Sequence, residues 1–137
     1  MNSIKYNVLV ITMLILLFTT CSRSNAEELK NTKPVWQTIT AEEAYRMINE
    51  LTSYILLDVR TPAEFLDIRI EGAVLIPDYE LNGRAEAELP DKNAIILIYC
   101  RSGRRSAQSA KVLAELGYTN VYDFGGILNW PYETVGG

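Results

Sequence analysis

The segment Ile95-Ile96-Leu97-Ile98-Tyr99 is an apolar, β-type run that ends at a lone cysteine, Cys100. Arg101-Ser102-Gly103-Arg104-Arg105-Ser106 follows, and then the alanine-rich, helix-forming Ala107-Gln108-Ser109-Ala110-Lys111. Strand, short loop and helix in that order put the Cys100 thiol at the strand's C-terminal edge. It stands there at the mouth of a loop whose amides point toward one spot. The helix that follows adds its positive N-terminal end. A site of this kind stabilises a thiolate and attracts a small anion.

The rest of the chain supplies the elements such a unit needs. Val35 to Ile39 alternates like a short strand, and Thr40-Ala41-Glu42-Glu43 is a capping box. The helix it opens has Ala44, Met47, Ile48 and Leu51 on its apolar face. Tyr54 to Leu57 is a continuous apolar run, the mark of a parallel strand buried on both faces. Thr61 to Phe65 reads as a short helix with Pro62 at its first position. Gly72 to Pro77 is another strand. Asn82-Gly83 and Pro90-Asp91 are turn signals around a helix at Ala85 to Leu89. After the strand Ala94 to Tyr99 comes a helix from Arg104 to Leu116, closed by Gly117 at the C′ position. Asn120 to Tyr122 is a last strand, and Gly125-Gly126 turns into a closing helix at Ile127 to Trp130. Strands alternating with helices predict an open parallel α/β sheet flanked by helices, in a single domain over residues 35–137.

The front of the chain reads differently. Val8 to Phe18 is an apolar run of eleven residues interrupted only by Thr12, with Lys5 before it. It is short of the ~20 residues of a bilayer span and has the size of a signal-peptide core. The expected signal covers residues 1–21 and directs export to the periplasm or cell envelope. Phe18-Thr19-Thr20-Cys21 resembles a lipobox, in which Cys21 becomes the lipidated first residue and anchors the chain to a membrane. Ser24-Asn25-Ala26 offers an alternative cleavage site. The polar stretch 22–34 reads as a flexible tether.

Charge and composition exclude several chemistries. Removing residues 1–20 takes away only Lys5, so 12 basic against 17 acidic residues leave a net charge of −5. That argues against nucleic acid as a partner. Arg101, Arg104 and Arg105 form a positive island in an acidic chain, better suited to a small anion than to a polyanion. Of two cysteines, Cys100 stands alone in the folded part, and no C-x-x-C exists. The chain has no histidine. Cys-His and Ser-His catalysis and most zinc sites are therefore excluded, and no metal or cofactor is expected.

Four motifs then resemble those of the single-domain rhodaneses, the thiosulfate sulfurtransferase-like family, here as an exported bacterial member. They are Leu57-Asp58-Val59-Arg60-Thr61-Pro62-Ala63-Glu64-Phe65, Ile70 to Pro77, Cys100 to Ser106, and Gly125-Gly126-Ile127-Leu128-Asn129-Trp130. The resemblance spans about residues 36 to 132. It implies a sulfurtransferase in which Cys100 takes a sulfane sulfur from a donor such as thiosulfate. Cys100 then carries it as a persulfide and passes it to cyanide or a thiol. The family commonly has Gly-His-Ile-Pro-Gly-Ala where this chain has Ile68-Arg69-Ile70-Glu71-Gly72-Ala73. That histidine is mostly structural, so Arg69 bears on loop packing.

The residues themselves agree with that chemistry. The amides of 101–106 form an anion nest around Cys100. Arg101 and Arg105 offer charge-assisted bonds to an anion's oxygens, ahead of Arg104. Ser102 and Ser106 complete the substrate loop, and Gly103 relieves a turn that requires positive φ. Asp58 and Arg60 are expected to brace the loop and the strand edge rather than touch substrate. The spacing from Cys100 to Arg105 is C-x4-R, one residue shorter than the C-x5-R loop of cysteine-dependent phosphatases, whose arginine position is filled by Ser106. A phosphatase or arsenate reductase is therefore the weaker reading. A non-catalytic rhodanese-like binding or sensing module is the alternative from another class.

Overall fold

The computed structural model describes residues 36–137. The expected signal, Cys21, the alternative cleavage site and the 22–34 tether lie outside the described residues. In chain order the elements are β1 (Gln37–Thr38), α1 (Ala41–Glu50), β2 (Ile55–Asp58), α2 (Pro62–Asp67), β3 (Val74–Leu75), α3 (Leu81–Glu88), β4 (Ile95–Cys100), α4 (Arg104–Glu115) and β5 (Asn120–Gly126). A single 3₁₀ turn, Ile127–Asn129, follows β5.

The five strands form one sheet in the order β1-β5-β4-β2-β3, and every pairing is parallel. The α/β reading therefore holds. The connection from β2 leads outward on one side, to β3, and that from β4 leads in the opposite direction, to β5. Strand order reverses between these two neighbours, and open α/β sheets place their sites at the C-terminal ends of such strands. Asp58 ends β2 and Cys100 ends β4.

Burial explains why β4 is central. Ile96, Leu97, Ile98, Tyr99 and Cys100 are all buried, so both faces of the strand need cover. One face, with Leu57, Ile96, Ile98 and Cys100, packs on Leu81 and Ala85 of α3 and Ala110 and Leu113 of α4. The other, with Leu56, Leu97, Tyr99 and Phe124, packs on Ala44 of α1 and on Trp130. Each fully buried Ile or Leu contributes about 2 kcal/mol of hydrophobic stabilisation.

The helix ends follow local chemistry. Thr40 and Glu43 form the expected reciprocal cap on α1, with Thr40 N–H donating to Glu43 Oε2 at 2.9 Å and Glu43 N–H to Thr40 Oγ1 at 3.1 Å. At the end of α4, Tyr118 N–H bonds Leu113 O at 3.0 Å and Gly117 N–H bonds Ala114 O at 3.0 Å. Gly117 takes φ +92° there, which makes this a Schellman ending.

Two expectations need correction. Asn82-Gly83 is not a turn: α3 begins at Leu81 and runs through both residues. Burial of Leu81 and Ala85 anchors that helix. Arg84, paired with Glu80 one turn before it and Glu88 one turn after it, clamps its exposed side. The last strand is also longer than Asn120 to Tyr122, reaching Gly126. Its pairing with β4 shifts between Ile98↔Asp123 and Cys100↔Gly126, so β5 carries one extra residue there. Gly125 absorbs that bulge at φ +89°.

Candidate active site

Cys100 is the last residue of the central strand and is 1% exposed. The chain then reverses through Arg101, Ser102 and Gly103 into α4. Gly103 adopts φ +100°, a conformation that side chains disfavour, and serves as the N-cap of α4. This turn aims the Gly103 N–H at the Cys100 sulfur, 3.1 Å from Sγ. The sulfur is thus held by a backbone donor at the positive end of a twelve-residue helix.

A second strand end supports the loop. Ser106, fully buried, places its Oγ 3.0 Å from the Gly103 carbonyl and 3.1 Å from the Gly125 carbonyl. Leu128 N–H donates to the Arg101 carbonyl at 3.2 Å. The Gly125-Gly126 segment therefore serves as a floor against which residues 101–103 lie.

The predicted arginines part company. Arg101 and Arg104 are exposed and form no ion pair among the described residues. Ser102 is exposed beside them. Arg105 is tied down: its Nη1 donates to Glu64 Oε2 at 2.9 Å and its Nη2 to Glu64 Oε1 at 2.7 Å. Glu64 keeps the Arg105 pKa above its usual value, with burial opposing and the charges of Cys100 and Asp78 adding. In return Arg105 is the main cause holding the Glu64 carboxyl down at about 2, against a desolvation effect of opposite sign. Sequence reasoning did not single out Glu64. Its signal was present as Thr61-x-x-Glu64, a capping box that the structure shows on α2, with Thr61 N–H donating to Glu64 Oε2 at 2.9 Å.

Asp58 and Arg60 are 0% and 2% exposed and bind each other through several contacts, including Nε to Oδ1 at 2.9 Å. Burial opposes the Arg60 charge, and the Asp58 carboxylate outweighs it, so the guanidinium is held firmly protonated. The reach of the pair differs from the expected brace on the cysteine loop. Arg60 Nη2 donates to the Ile68 carbonyl at 2.6 Å, fixing the chain after α2. Arg60 also lies 5.5 Å from the centre of the Tyr99 ring, and Tyr99 Oη accepts the Ile70 N–H at 3.2 Å. The pair thus reaches β4 at Tyr99, the residue before Cys100, and makes no hydrogen bond to residues 101–106. Burial first, and the Asp58 charge second, push the Tyr99 hydroxyl pKa upward.

Arg69, where the histidine of the resembling family falls, serves as a fastening point. Its backbone N–H and C=O pair with Val135 at 2.7 and 2.8 Å, and its guanidinium stacks 5.1 Å from the Phe65 ring centre. An open groove lined by Tyr45, Tyr54, Ile70, Trp130 and Tyr132 lies apart from this site, and no residue of 100–106 lines it.

Comparison with known proteins agrees with the geometry. Residues 40–132 match the rhodanese-like domain family. The thiosulfate sulfurtransferase PspE of Escherichia coli is 39% identical over 81 residues, covering 59% of this chain and 78% of that protein. A sulfurtransferase of Allochromatium vinosum is 36% identical over 93 residues, covering 67% of this chain and 85% of that protein. Among solved structures, an E. coli rhodanese with anions superposes with a TM-score of 0.58 at 35% identity, over 62% of this chain and all of that one. A Staphylococcus aureus rhodanese-like domain protein gives a TM-score of 0.63 at 31% identity, over 71% of this chain and 93% of that one.

Proposed function

The chain belongs to the rhodanese-like domain family, and on that premise we propose that it is an exported sulfurtransferase working through a persulfide on Cys100. The donor is a small anion with a terminal sulfane sulfur, such as thiosulfate. The acceptor is cyanide or a thiol. One observation carries the reading: the Gly103 N–H on Cys100 Sγ at 3.1 Å, at the head of α4 and beside the exposed Arg101 and Arg104.

The chemistry is two displacements at sulfur. The Cys100 thiolate attacks the outer sulfur of thiosulfate. The S–S bond of the donor breaks and its electron pair leaves with sulfite, while Cys100 keeps the transferred sulfur as a persulfide. The acceptor then attacks that outer sulfur, and Cys100 departs as a thiolate. Both leaving and attacking groups are anions, which a helix N-terminus and unpaired arginines favour. Because Cys100 is almost fully buried, a donor meets it through the mouth of the loop, which suits transfer of one terminal atom. Phosphoryl transfer fits less well. The position of the phosphatase arginine holds Ser106, buried and bonded to two carbonyls.

The proposed location is the cell envelope, by way of the 1–21 signal and a lipid on Cys21. Metabolic labelling with a fatty acid tests this: label on the wild type and none on Cys21→Ser supports the anchor. Unlabelled, exported protein favours cleavage near Ala26.

The test of function is intact mass of the reduced chain carrying Cys21→Ser, incubated with thiosulfate. A gain of one sulfur that Cys100→Ser abolishes and cyanide discharges is the expected result. Folded protein that gains no sulfur from thiosulfate or polysulfide overturns the catalytic reading and leaves the binding module.

A further inference from the structure

Arg105 is the cation that the C-x4-R spacing would aim at a bound donor, yet its guanidinium is already occupied. Glu64 takes both terminal nitrogens in a two-point ion pair. The side chains are only 20% and 26% exposed, so water and salt screen this pair less than one on the surface. The carboxylate is fixed from its other side as well. Glu64 Oε2 accepts the Thr61 N–H at 2.9 Å and the Thr61 hydroxyl at 3.0 Å. Swinging Glu64 away from Arg105 would therefore also break the cap of α2.

We propose that Glu64 is a specificity-determining residue for the sulfur donor. By cancelling the charge of Arg105 next to Cys100, it turns the site away from dianionic donors and toward donors carrying one negative charge. The inference rests on the persulfide reading above.

A dianion approaching a thiolate depends on every positive charge around it. Here Glu64 neutralises one of three arginines and Asp78 adds a second carboxylate near Arg105. Arg101 and Arg104 remain. A singly charged donor suffers less from the missing cation, because the Coulomb energy scales with the donor's charge.

Thiosulfate and methanethiosulfonate form a matched pair for the test. Each presents one terminal sulfur on an oxidised sulfur centre, and a methyl group replaces one charged oxygen. With thiosulfate, Cys100–S⁻ gives Cys100–S–S⁻ and sulfite. With methanethiosulfonate it gives the same persulfide and methanesulfinate. In both, the donor's S–S electron pair leaves with the oxidised fragment, so atoms and charge balance.

The informative variant is Glu64→Gln in the full chain. Glutamine at this position still closes a capping box, so the substitution removes charge and keeps the cap. The expected result is a rise of about tenfold in the ratio of kcat/KM for thiosulfate to that for methanethiosulfonate, located mainly in KM. Arg105→Gln, which leaves the Glu64 carboxylate unpaired, shifts the same ratio the opposite way. A ratio unmoved in Glu64→Gln, with both donors changing together, overturns the proposal and leaves Glu64 a structural clamp. Failure of the sulfurtransferase reading looks different: neither donor then loads sulfur on the wild-type chain.

Discussion

Gly126 lies against the Arg101–Ser102 peptide so closely that a Cβ built on it would stand 2.3 Å from the Arg101 carbonyl oxygen and 2.5 Å from Ser102 Cα. Both neighbours are backbone, and neither can turn aside. The shape of the cysteine loop is thus set from outside it, by a residue 26 positions after Cys100 that faces it across the β4–β5 pairing.

Gly126→Ala should therefore displace the loop. A shift of about 1 Å at a reacting group costs on the order of a hundredfold in rate. Sulfur loading of Cys100 should fall by about that factor, and overpacking should lower stability by about 2 kcal/mol. Gly125→Ala is the comparison: it meets no atom within 4 Å but sits at φ +89°. It should lose only about 1 kcal/mol and keep most of its loading rate. Loading kinetics by mass spectrometry, with thermal melts of both variants, decide the matter. Wild-type loading by Gly126→Ala would refute this account.

Asp58 and Arg60 predict a stability effect larger than any surface pair could give. Asp58→Asn keeps the shape and an acceptor but leaves the Arg60 charge buried without a counter-charge. The expected loss is about 3 kcal/mol, read as a lower urea midpoint. Replacing both, as Asp58→Leu with Arg60→Met, should recover much of it, since the ion pair itself offsets its own desolvation. A double variant less stable than Asp58→Asn would mean that the Ile68 hydrogen bond and the Tyr99 contact matter more than the charge.

Much of this was legible in the chain because it is local. The run into Cys100, the glycine that must turn at positive φ, the Thr40 cap and the Gly117 ending each depend on residues a few positions apart. What escaped was long-range. Arg105 reads as a substrate arginine until its partner 41 positions away is seen. Asn82-Gly83 reads as a turn until Leu81 and Ala85 are found in the core. Gly125-Gly126 reads as a turn because a β-bulge and a close backbone approach leave the same mark in sequence. Arg60 reads as a brace for the cysteine loop until its bond to the Ile68 carbonyl, eight positions on, is seen.

Ser106 tests how the loop and β5 are coupled. Its hydroxyl has one proton and two carbonyl oxygens in reach, of Gly103 and Gly125. In Ser106→Ala the Gly103 carbonyl keeps its bond from the Ala107 N–H, while the Gly125 carbonyl loses this contact. A buried neutral hydrogen bond is worth about 1 kcal/mol, so the global loss should be of that size. Hydrogen exchange should show a larger local change at Gly103 and Leu128 than in α1. Uniform exchange changes would mean that the serine stabilises the fold without tying these two segments together.

Glu64 carries the pH signature of the site. Its carboxyl, ordinarily near 4.5, is held down at about 2 by Arg105 first, with the Thr61 donors adding and burial pulling the other way. A carboxyl whose pKa is lower in the folded chain stabilises the fold while ionised. That stabilisation is fully present above the unfolded value and is lost as pH falls through the folded one. Partial exposure reduces it to about 2 kcal/mol. Glu64→Gln should accordingly be less stable than wild type by about 2 kcal/mol at pH 7. The gap should start to narrow as pH falls through about 4.5 and be largely closed below about 2. Urea unfolding of both proteins across that range measures it. Because glutamine retains the cap on α2, a gap that stayed constant down to pH 2 would assign the stabilisation to packing and hydrogen-bond geometry. A gap that closes assigns it to the charge pair with Arg105, the same pair that sets the electrostatics beside Cys100.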